Sequence, residues 1–161
     1  MQKKQEKEQL VKISIQDLHK SYGTKEVLKG LNLEVYEGEL FGFIGRNGIG
    51  KSTTIDCMIG SKKYNKGTIL LDNYDIKFEP LDAKASFGYV ASEPTCYEEM
   101  TGYDYLEFTA NIYQLSEAEF KNNYKYLVSR LQLNLNELSN PIADYSHGMK
   151  QKLCLAASLL H

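Results

Sequence analysis

One eight-residue segment constrains the fold of this chain more than any other feature of its sequence. Residues 45–52 read G-R-N-G-I-G-K-S and fit the pattern G-x-x-x-x-G-K-[ST] at every fixed position. The preceding residues, 40–44, are apolar, and residues 51–59 show a helical pattern with Gly60 as a stop. The sequence therefore predicts a strand buried on both faces, a glycine-rich turn and a helix in direct succession.

This pattern has a specific chemistry, which is the binding of phosphate groups. Its glycines let the backbone wrap closely round a pyrophosphate, with N–H groups pointing inward at the positive end of the following helix. Lys51 is expected to reach the β- and γ-phosphates, and the Ser52 hydroxyl to ligate Mg²⁺. The glycines do not fall as G-x-G-x-x-G, which excludes a dinucleotide fingerprint and a kinase glycine loop. We call residues 45–52 the phosphate loop, and the predicted nucleotide-binding residues in and next to it are Gly45, Arg46, Asn47, Gly48, Ile49, Gly50, Lys51, Ser52 and Thr53.

The remaining chain divides into strand patterns followed by helical patterns. Strands are predicted, besides residues 40–44, at 11–17, 31–35, 68–71 and 86–91. Helices are predicted around apolar residues spaced by three and four at 103–113, 120–131 and 149–160. Ser116 and Glu119 form a capping box for the second of these helices. The order indicates an α/β fold with an inserted or appended helical subdomain.

Composition excludes several classes of protein. Nineteen basic and 21 acidic residues among 161 give a net charge of −2, which argues against a nucleic-acid binder. Three dispersed cysteines without a CxxC indicate reduced thiols of a cytosolic protein, not a disulfide framework or a zinc site. Residues 1–10 form a charged N-terminal extension without the apolar core of a signal peptide. The longest apolar stretch, 153–160, is far shorter than the roughly 20 residues of a membrane helix.

The stretch from residue 21 to residue 53 closely resembles the ATP-binding subunits of ABC transporters, in which the phosphate loop is called Walker A. In that family an aromatic residue some twenty-odd positions before the loop stacks on adenine, and Tyr22 occupies this place. The resemblance implies ATP and Mg²⁺ as cofactors. It also implies a P-loop NTPase (ABC ATPase) fold over residues 11–161, with an N-terminal antiparallel β subdomain and a helical subdomain at about 97–145.

Residues 145–149, Y-S-H-G-M, resemble the family's signature, usually LSGGQ at the start of a helix, and we call them the signature segment. Ser146 and Gly148 match that pattern, and the form Y-S-x-G-M is typical of bacterial exporter-type subunits. The resemblance implies that Ser146 and nearby N–H groups bind the γ-phosphate of an ATP held by an opposite subunit. The alternative is an ordinary N-cap serine followed by a turn glycine. His147 is interpreted as a surface residue.

Residues 88–101, GYVASEPTCYEEMT, resemble the region where the family places a glutamine near Mg²⁺ and the attacking water. Ser92 aligns with that glutamine and Glu93 follows it. Either is a candidate catalytic residue beside Lys51, and Ser92 is a candidate metal ligand through water. The next residues resemble the surface that docks a transmembrane subunit, so Tyr97 and Glu98 are either partner contacts or part of a solvated loop.

The family's catalytic acid and base follow four apolar residues as Asp-Glu, and this pattern does not occur in the sequence. The similar run 69–72 ends at Asp72 without a glutamate, and the resemblance assigns it to a hairpin strand. We therefore expect a C-terminally truncated domain with an incomplete core sheet, exposed apolar surface and low stability. Such a chain is expected to bind nucleotide phosphates weakly and to hydrolyse little or nothing.

The resemblance implies an ATP-binding subunit of a bacterial exporter, on the cytoplasmic face of the cell membrane. Its expected partners are a transmembrane permease subunit and a second ATP-binding subunit in a head-to-tail dimer, and not nucleic acid. Two alternatives stay open at this point. One is a soluble ABC-type ATPase that acts on the ribosome or DNA, and the other is a non-catalytic nucleotide-binding or regulatory fragment.

Overall fold

The computed structural model describes residues 10–160, and every structural statement below refers to them. The predicted N-terminal extension lies outside the described residues apart from Leu10. The chain divides into two compact units, Met1–Phe87 and Gly88–His161, which we call the sheet unit and the helical unit. The family resemblance predicts a helical subdomain at about residues 97–145, which differs from the bounds of the helical unit and stays a prediction.

The sheet unit contains an antiparallel sheet of four strands in the order β2-β1-β3-β4. The strands are β1 (Val11–Tyr22), β2 (Lys25–Tyr36), β3 (Lys66–Leu71) and β4 (Tyr74–Asp75). Two helices accompany them, α1 (Lys51–Met58) and α2 (Pro80–Ala85). The core of this unit is apolar and consists of Ile15, Leu18, Leu28, Cys57, Ile69, Leu71, Ile76 and Ala83.

The two hairpins of this sheet follow local backbone chemistry. Asp72 and Asn73 have φ of 48° and 69° and join β3 to β4, as expected for a two-residue turn with left-handed residues. The Asp-Asn dipeptide predicts a turn at these same two residues. Strand β1 continues to Tyr22, well past its predicted end at Asp17. Its pairing register shifts around Asp17, which itself has φ of 48°. Such a bulge breaks the period-two alternation that the sequence prediction relied on.

The predicted strand at residues 40–44 is wrong. No strand is assigned to these residues, and the side chains of Leu40 and Ile44 are 100% and 98% exposed. A strand buried on both faces needs hydrogen-bonded neighbours on its edges, and residues 39–46 have no strand pairing in the described part of the chain. Residues 86–91 form no strand either, and Phe87–Ala91 have no regular structure. Leu40, Phe41 and Ile44 therefore expose apolar side chains, and the truncation expected from the sequence stays a prediction.

The helical unit consists of three helices and two short 3₁₀ turns. The helices are α3 (Gly102–Ile112), α4 (Glu117–Arg130) and α5 (His147–Ser158), and the 3₁₀ turns are Glu137–Ser139 and Ile142–Asp144. The predicted capping box is present, since Ser116 accepts from the Glu119 N–H and the Glu119 carboxylate accepts from the Ser116 N–H at 2.8 Å. The core of the unit joins all three helices and contains Leu106, Ala110, Phe120, Leu127, Val128, Leu138, Ile142, Tyr145, Leu153, Ala156, Ala157 and Leu160.

Within the helical unit, the backbone just before α3 is bonded to the backbone just before α5. The Ile142 N–H donates to the Met100 carbonyl at 2.9 Å, and the Ala143 N–H donates to the Glu98 carbonyl at 3.0 Å. Thr101 and Pro141 form an isolated antiparallel bridge. We call residues 98–101 the docking segment, after the role that the family resemblance predicts for it. No helix among residues 10–160 is both long enough and apolar enough to cross a bilayer.

Candidate nucleotide-binding site

The phosphate loop owes its shape to two glycines with left-handed backbone. Gly48 has φ of 82°, and Gly50, the N-cap of α1, has φ of 109°. An added Cβ at Gly50 would lie 2.7 Å from Leu28 Cδ2, whereas at Gly48 it would meet no atom within 4 Å. Gly50 is therefore required by both backbone angle and packing, and Gly48 by backbone angle alone.

Lys51 lies folded back on the loop that precedes it. Its Nζ donates to the Gly45 carbonyl at 2.7 Å and to the Arg46 carbonyl at 2.9 Å. These two bonds hold an ammonium group against the backbone of the loop, where the motif predicts phosphate. Lys51, the first residue of α1, thus supplies a positive charge beside the loop backbone.

The start of α1 has no side-chain cap, because its N-cap residue is glycine. N–H groups of the first helical turn are therefore without a side-chain acceptor, which is the arrangement that binds an anion at a helix N-terminus. Ser52 is exposed in this turn, and Thr53 is partly buried. The hydroxyl of Ser52 is thus available as an oxygen ligand for a cation bound to phosphate.

Sequence reasoning missed Thr54, which anchors this helix start. Its side chain is 2% exposed, and its Oγ1 donates to the Gly50 carbonyl at 2.9 Å, in parallel with its own N–H at 2.8 Å. Two bonds on one carbonyl fix the orientation of the peptide between the loop and the helix. The signal in the sequence is a hydroxyl residue one helical turn after the last glycine of the motif.

Tyr22 lies at the end of β1 with its side chain 44% exposed. The ammonium groups of Lys20 and Lys62 are 4.8 and 5.8 Å from the centroid of its ring. Lys62 also pairs with Asp56 of α1 at 2.7 Å, and hydrogen bonds to Asp56 and then to Tyr22 raise the pKa of Lys62. An exposed ring among lysines is compatible with stacking on a base, and adenine stacking at Tyr22 stays a prediction.

The signature segment begins a helix, as both interpretations of the sequence required. Ser146 is the N-cap of α5, and its Oγ accepts from the Met149 N–H at 3.3 Å. The hydroxyl hydrogen is not used in that bond, so Ser146 is capable of donating to an anion while it caps the helix. Gly148 is exposed, and a Cβ there would meet no atom within 4 Å. An open cavity of about 300 Å³ beside these residues reaches Lys152.

Tyr145 anchors the signature segment to the helical unit. Its ring is 7% exposed, and its hydroxyl donates to the Glu137 carbonyl at 2.7 Å. An added Cβ at Gly102 would lie 2.3 Å from this hydroxyl, so glycine at the start of α3 leaves room for the tyrosine. Burial raises the pKa of Tyr145, which keeps the hydroxyl protonated as a donor.

The structure does not bring Ser92 and Glu93 into the phosphate loop's own unit. Both are exposed residues in irregular backbone of the helical unit, whereas the phosphate loop belongs to the sheet unit. Their proposed catalytic and metal-binding roles stay predictions. Tyr97 packs its ring edge-on against Phe108 at 5.6 Å, and Glu98 pairs with Lys150 of α5 at 2.5 Å.

A left-handed glycine turn that enters a helix with a lysine folded over its carbonyls defines a P-loop nucleotide-binding protein. The family model described as ABC transporter (ABC_tran) matches residues 28–161, which is most of the chain. The chain belongs to the ABC transporter family, and within it to the ATP-binding subunits.

Curated relatives and solved structures agree with this assignment. The linearmycin resistance ATP-binding protein LnrL of Bacillus subtilis is 32% identical over 92% of this chain and 48% of its own length. The methionine import ATP-binding protein MetN of Clostridioides difficile is 29% identical over 91% of this chain and 47% of its own length. A solved structure described as the ATP binding subunit of an ABC transporter aligns with a TM-score of 0.84 and 34% identity. That alignment covers 92% of this chain and 61% of the solved chain, and the chain spans about half the length of these two curated relatives.

Proposed function

We propose that the chain binds ATP with Mg²⁺ at the phosphate loop, as the nucleotide-binding part of an ABC transporter subunit. One observation carries this proposal. The start of α1 has no side-chain cap, and the Lys51 ammonium group lies at the same turn. Its Nζ is 2.7 Å from the Gly45 carbonyl and 2.9 Å from the Arg46 carbonyl. Helix amides and a lysine at one turn are complementary to a chain of phosphates.

Mg²⁺ fits this site as an ion carried by the nucleotide. The described residues contain no group of three or more His, Cys, Asp or Glu side chains that could hold a metal ion by themselves. Mg²⁺ commonly takes one or two protein ligands together with phosphate oxygens and water. The exposed Ser52 hydroxyl supplies one such ligand, and Ser92 through water is the second candidate in our proposal.

The residues of this chain are proposed to bind ATP and to hydrolyse it little by themselves. Lys51 and the loop amides would stabilise negative charge on the γ-phosphate during in-line attack by water. The role of Lys51 is to stabilise charge and not to activate the attacking water. Ser92 and Glu93 are the remaining candidates for positioning that water. Since the sequence contains no Asp-Glu after four apolar residues, a non-catalytic nucleotide-binding role is the second candidate function.

The partners and direction of transport are proposed from the family resemblance. We propose a transmembrane permease subunit at the docking segment and a second ATP-binding subunit facing the signature segment, on the cytoplasmic face of the membrane. Export is supported by the form Y-S-x-G-M of the signature segment. The names of the relatives above include both a resistance protein and an import protein, so export rests on that segment.

Titration with a fluorescent ATP analogue in the presence of Mg²⁺ tests the binding proposal. Lys51→Ala is expected to weaken binding by about 10- to 100-fold, because it removes charge-assisted hydrogen bonds to phosphate. Lys125→Ala is the matched control, since it deletes the same charge from exposed α4 of the other unit. Absence of saturable binding by the unmodified chain, or equal weakening in both variants, would contradict the proposal.

Release of inorganic phosphate at saturating ATP separates the two candidate functions. The proposal expects a rate far below the roughly 1–100 s⁻¹ that is ordinary for enzymes transferring phosphoryl groups. An ordinary rate that Lys51→Ala abolishes would instead show that residues other than an Asp-Glu pair position the attacking water.

A further inference from the structure

Two cysteines that are 58 positions apart in the sequence have their sulfur atoms 3.0 Å apart. Cys96 precedes the docking segment and Cys154 lies in α5, and both side chains are half-buried in the helical unit. A disulfide bond is about 2.05 Å long, so the two sulfurs are about 1 Å from bonding distance. Forming the bond therefore needs the two sulfurs to approach by only about 1 Å.

The third cysteine provides an internal reference. Cys57 is fully buried in α1 of the sheet unit, and it belongs to the core of that unit. Cys96 and Cys154 are therefore the one pair of thiols in this chain placed to form an internal disulfide.

We propose that Cys96 and Cys154 form a reversible disulfide by exchange with a low-molecular-weight disulfide such as oxidised glutathione. One protein thiolate attacks the small disulfide and gives a mixed disulfide and one small thiol. The second protein thiolate then attacks the protein sulfur of that bond and releases the other small thiol. The protein loses two electrons and two protons, and the small disulfide gains them as two thiols.

The surroundings of the two thiols should make thiol–disulfide exchange slow. Burial raises the pKa of Cys96 to about 12, and its hydrogen bond to Cys154 is the second cause. Tyr105 packs in the same cluster, where burial likewise raises its pKa to about 12. Because thiolate is the attacking species, exchange requires hours or alkaline buffer, unlike that of a low-pKa redox sensor.

The consequence of the bond follows from where the two cysteines lie. Cys96 is two residues before Glu98, which already pairs with Lys150 of α5. A covalent link from Cys96 to α5 would hold the docking segment against the helix that the signature segment starts. Oxidation is therefore expected to restrict relative motion of these two segments and to raise the thermal midpoint of the helical unit by roughly 10 °C or more.

The test is oxidation of the native full chain with millimolar oxidised glutathione at pH 8.5, followed by denaturation and alkylation of the remaining thiols. We expect one alkylated cysteine, a loss of about two hydrogen masses and a proteolytic peptide pair that joins Cys96 to Cys154. Cys57→Ala is expected to give the same bond with no alkylated cysteine. Cys154→Ser is expected to stop at a mixed disulfide with glutathione or to stay reduced.

Three results would overturn the proposal. These are three alkylatable thiols after oxidation, glutathione adducts without an internal bond, or a bond that includes Cys57. If Cys154→Ser does not fold, as judged by circular dichroism, the peptide map of the unmodified chain and of Cys57→Ala still decides the matter.

Discussion

The starts of α1 and α5 were both predicted to bind phosphate, but they are built in different ways. Helix α1 begins at Gly50, whose left-handed backbone has no side chain to cap the first turn. Helix α5 begins at Ser146, whose hydroxyl already accepts the Met149 N–H. The first helix start leaves its amides for a ligand, and the second satisfies one of them internally.

The difference shows where the stability of each helix start comes from. Gly50 is held by neighbours in the sheet unit, namely Leu28, which fills the place of a Cβ, and Thr54, which donates to the Gly50 carbonyl. Ser146 stabilises its own helix through its cap, and Tyr145 beside it is bonded to Glu137. A change at Gly50 should therefore act through packing and backbone strain, and a change at Ser146 through a single hydrogen bond.

The largest effect is expected at Gly50. Gly50→Ala places a Cβ 2.7 Å from Leu28 Cδ2 on a backbone with φ of 109°. Left-handed strain and overpacking together should cost about 2–4 kcal/mol in the free energy of unfolding. Urea denaturation of the full chain, followed by circular dichroism, measures this cost.

Gly48→Ala is the matched control for the same loop. Its φ of 82° carries the backbone strain, but no atom lies within 4 Å of the added Cβ. We expect a cost of about 1 kcal/mol. Equal costs in the two alanine variants would show that packing against Leu28 does not hold the start of α1.

The next effect is expected at the cap of α5. Ser146→Ala removes the acceptor of the Met149 N–H and should cost about 1 kcal/mol of unfolding free energy. Ser116→Ala should cost at least as much, because Ser116 and Glu119 satisfy each other's backbone groups in a capping box. No loss in Ser146→Ala, measured in the same urea titration, would remove the contrast between the two helix starts.

Ser52→Ala sharpens the comparison because it also removes a serine from the first turn of a helix. Ser52 is exposed and follows a glycine cap, so alanine should leave stability unchanged or raise it by up to about 0.5 kcal/mol. Nucleotide binding should nevertheless become less dependent on Mg²⁺. A destabilised Ser52→Ala would mean that this hydroxyl, like that of Ser146, has a structural role.

The smallest effect concerns pH and is confined to the sheet unit. Both ring nitrogens of His19 face carboxylates, Glu26 at 3.0 Å and Asp17 at 2.9 Å, and these hydrogen bonds, Glu26 first, raise the pKa of His19 above its ordinary value of 6.5. A raised pKa gives stability that is present below about pH 6.5 and is lost as the pH rises through the folded value.

His19→Gln should therefore reduce the difference in stability between pH 5.5 and pH 8, as measured by urea titration at both pH values. The effect is small because the groups are exposed to solvent. An unchanged difference in His19→Gln would show that His19 gains nothing from its two neighbours.

Local patterns predicted those parts of the fold that local contacts stabilise. The capping box at Ser116, the turn at Asp72 and the helix start at Ser146 each depend on neighbouring residues, and each is present. The prediction of a strand at residues 40–44 was wrong because strand formation depends on pairing with distant residues. An apolar run does not specify that pairing.

The candidate site shows the same division. The motif located the loop and Lys51, because glycine spacing determines the backbone there. It did not reveal Thr54 on the Gly50 carbonyl, or the lysines around Tyr22, since these contacts arise from how the strands and α1 pack. Nor did cysteine spacing reveal that Cys96 and Cys154 touch. These residues are 58 positions apart, and the tertiary packing of the helical unit brings them together.

The bonds between the docking segment and the residues before α5 join main chain to main chain. A displacement imposed at Glu98 or Met100 therefore carries Ile142 and Ala143 with it, and Ser146 lies only three residues further along. Because no side chain takes part in these bonds, amino-acid replacements in either segment leave the linkage intact provided that the backbone keeps its path. Side chains at residues 98–101, where we propose that a partner docks, are thus free to diversify in evolution without breaking the main-chain link to the residues before α5.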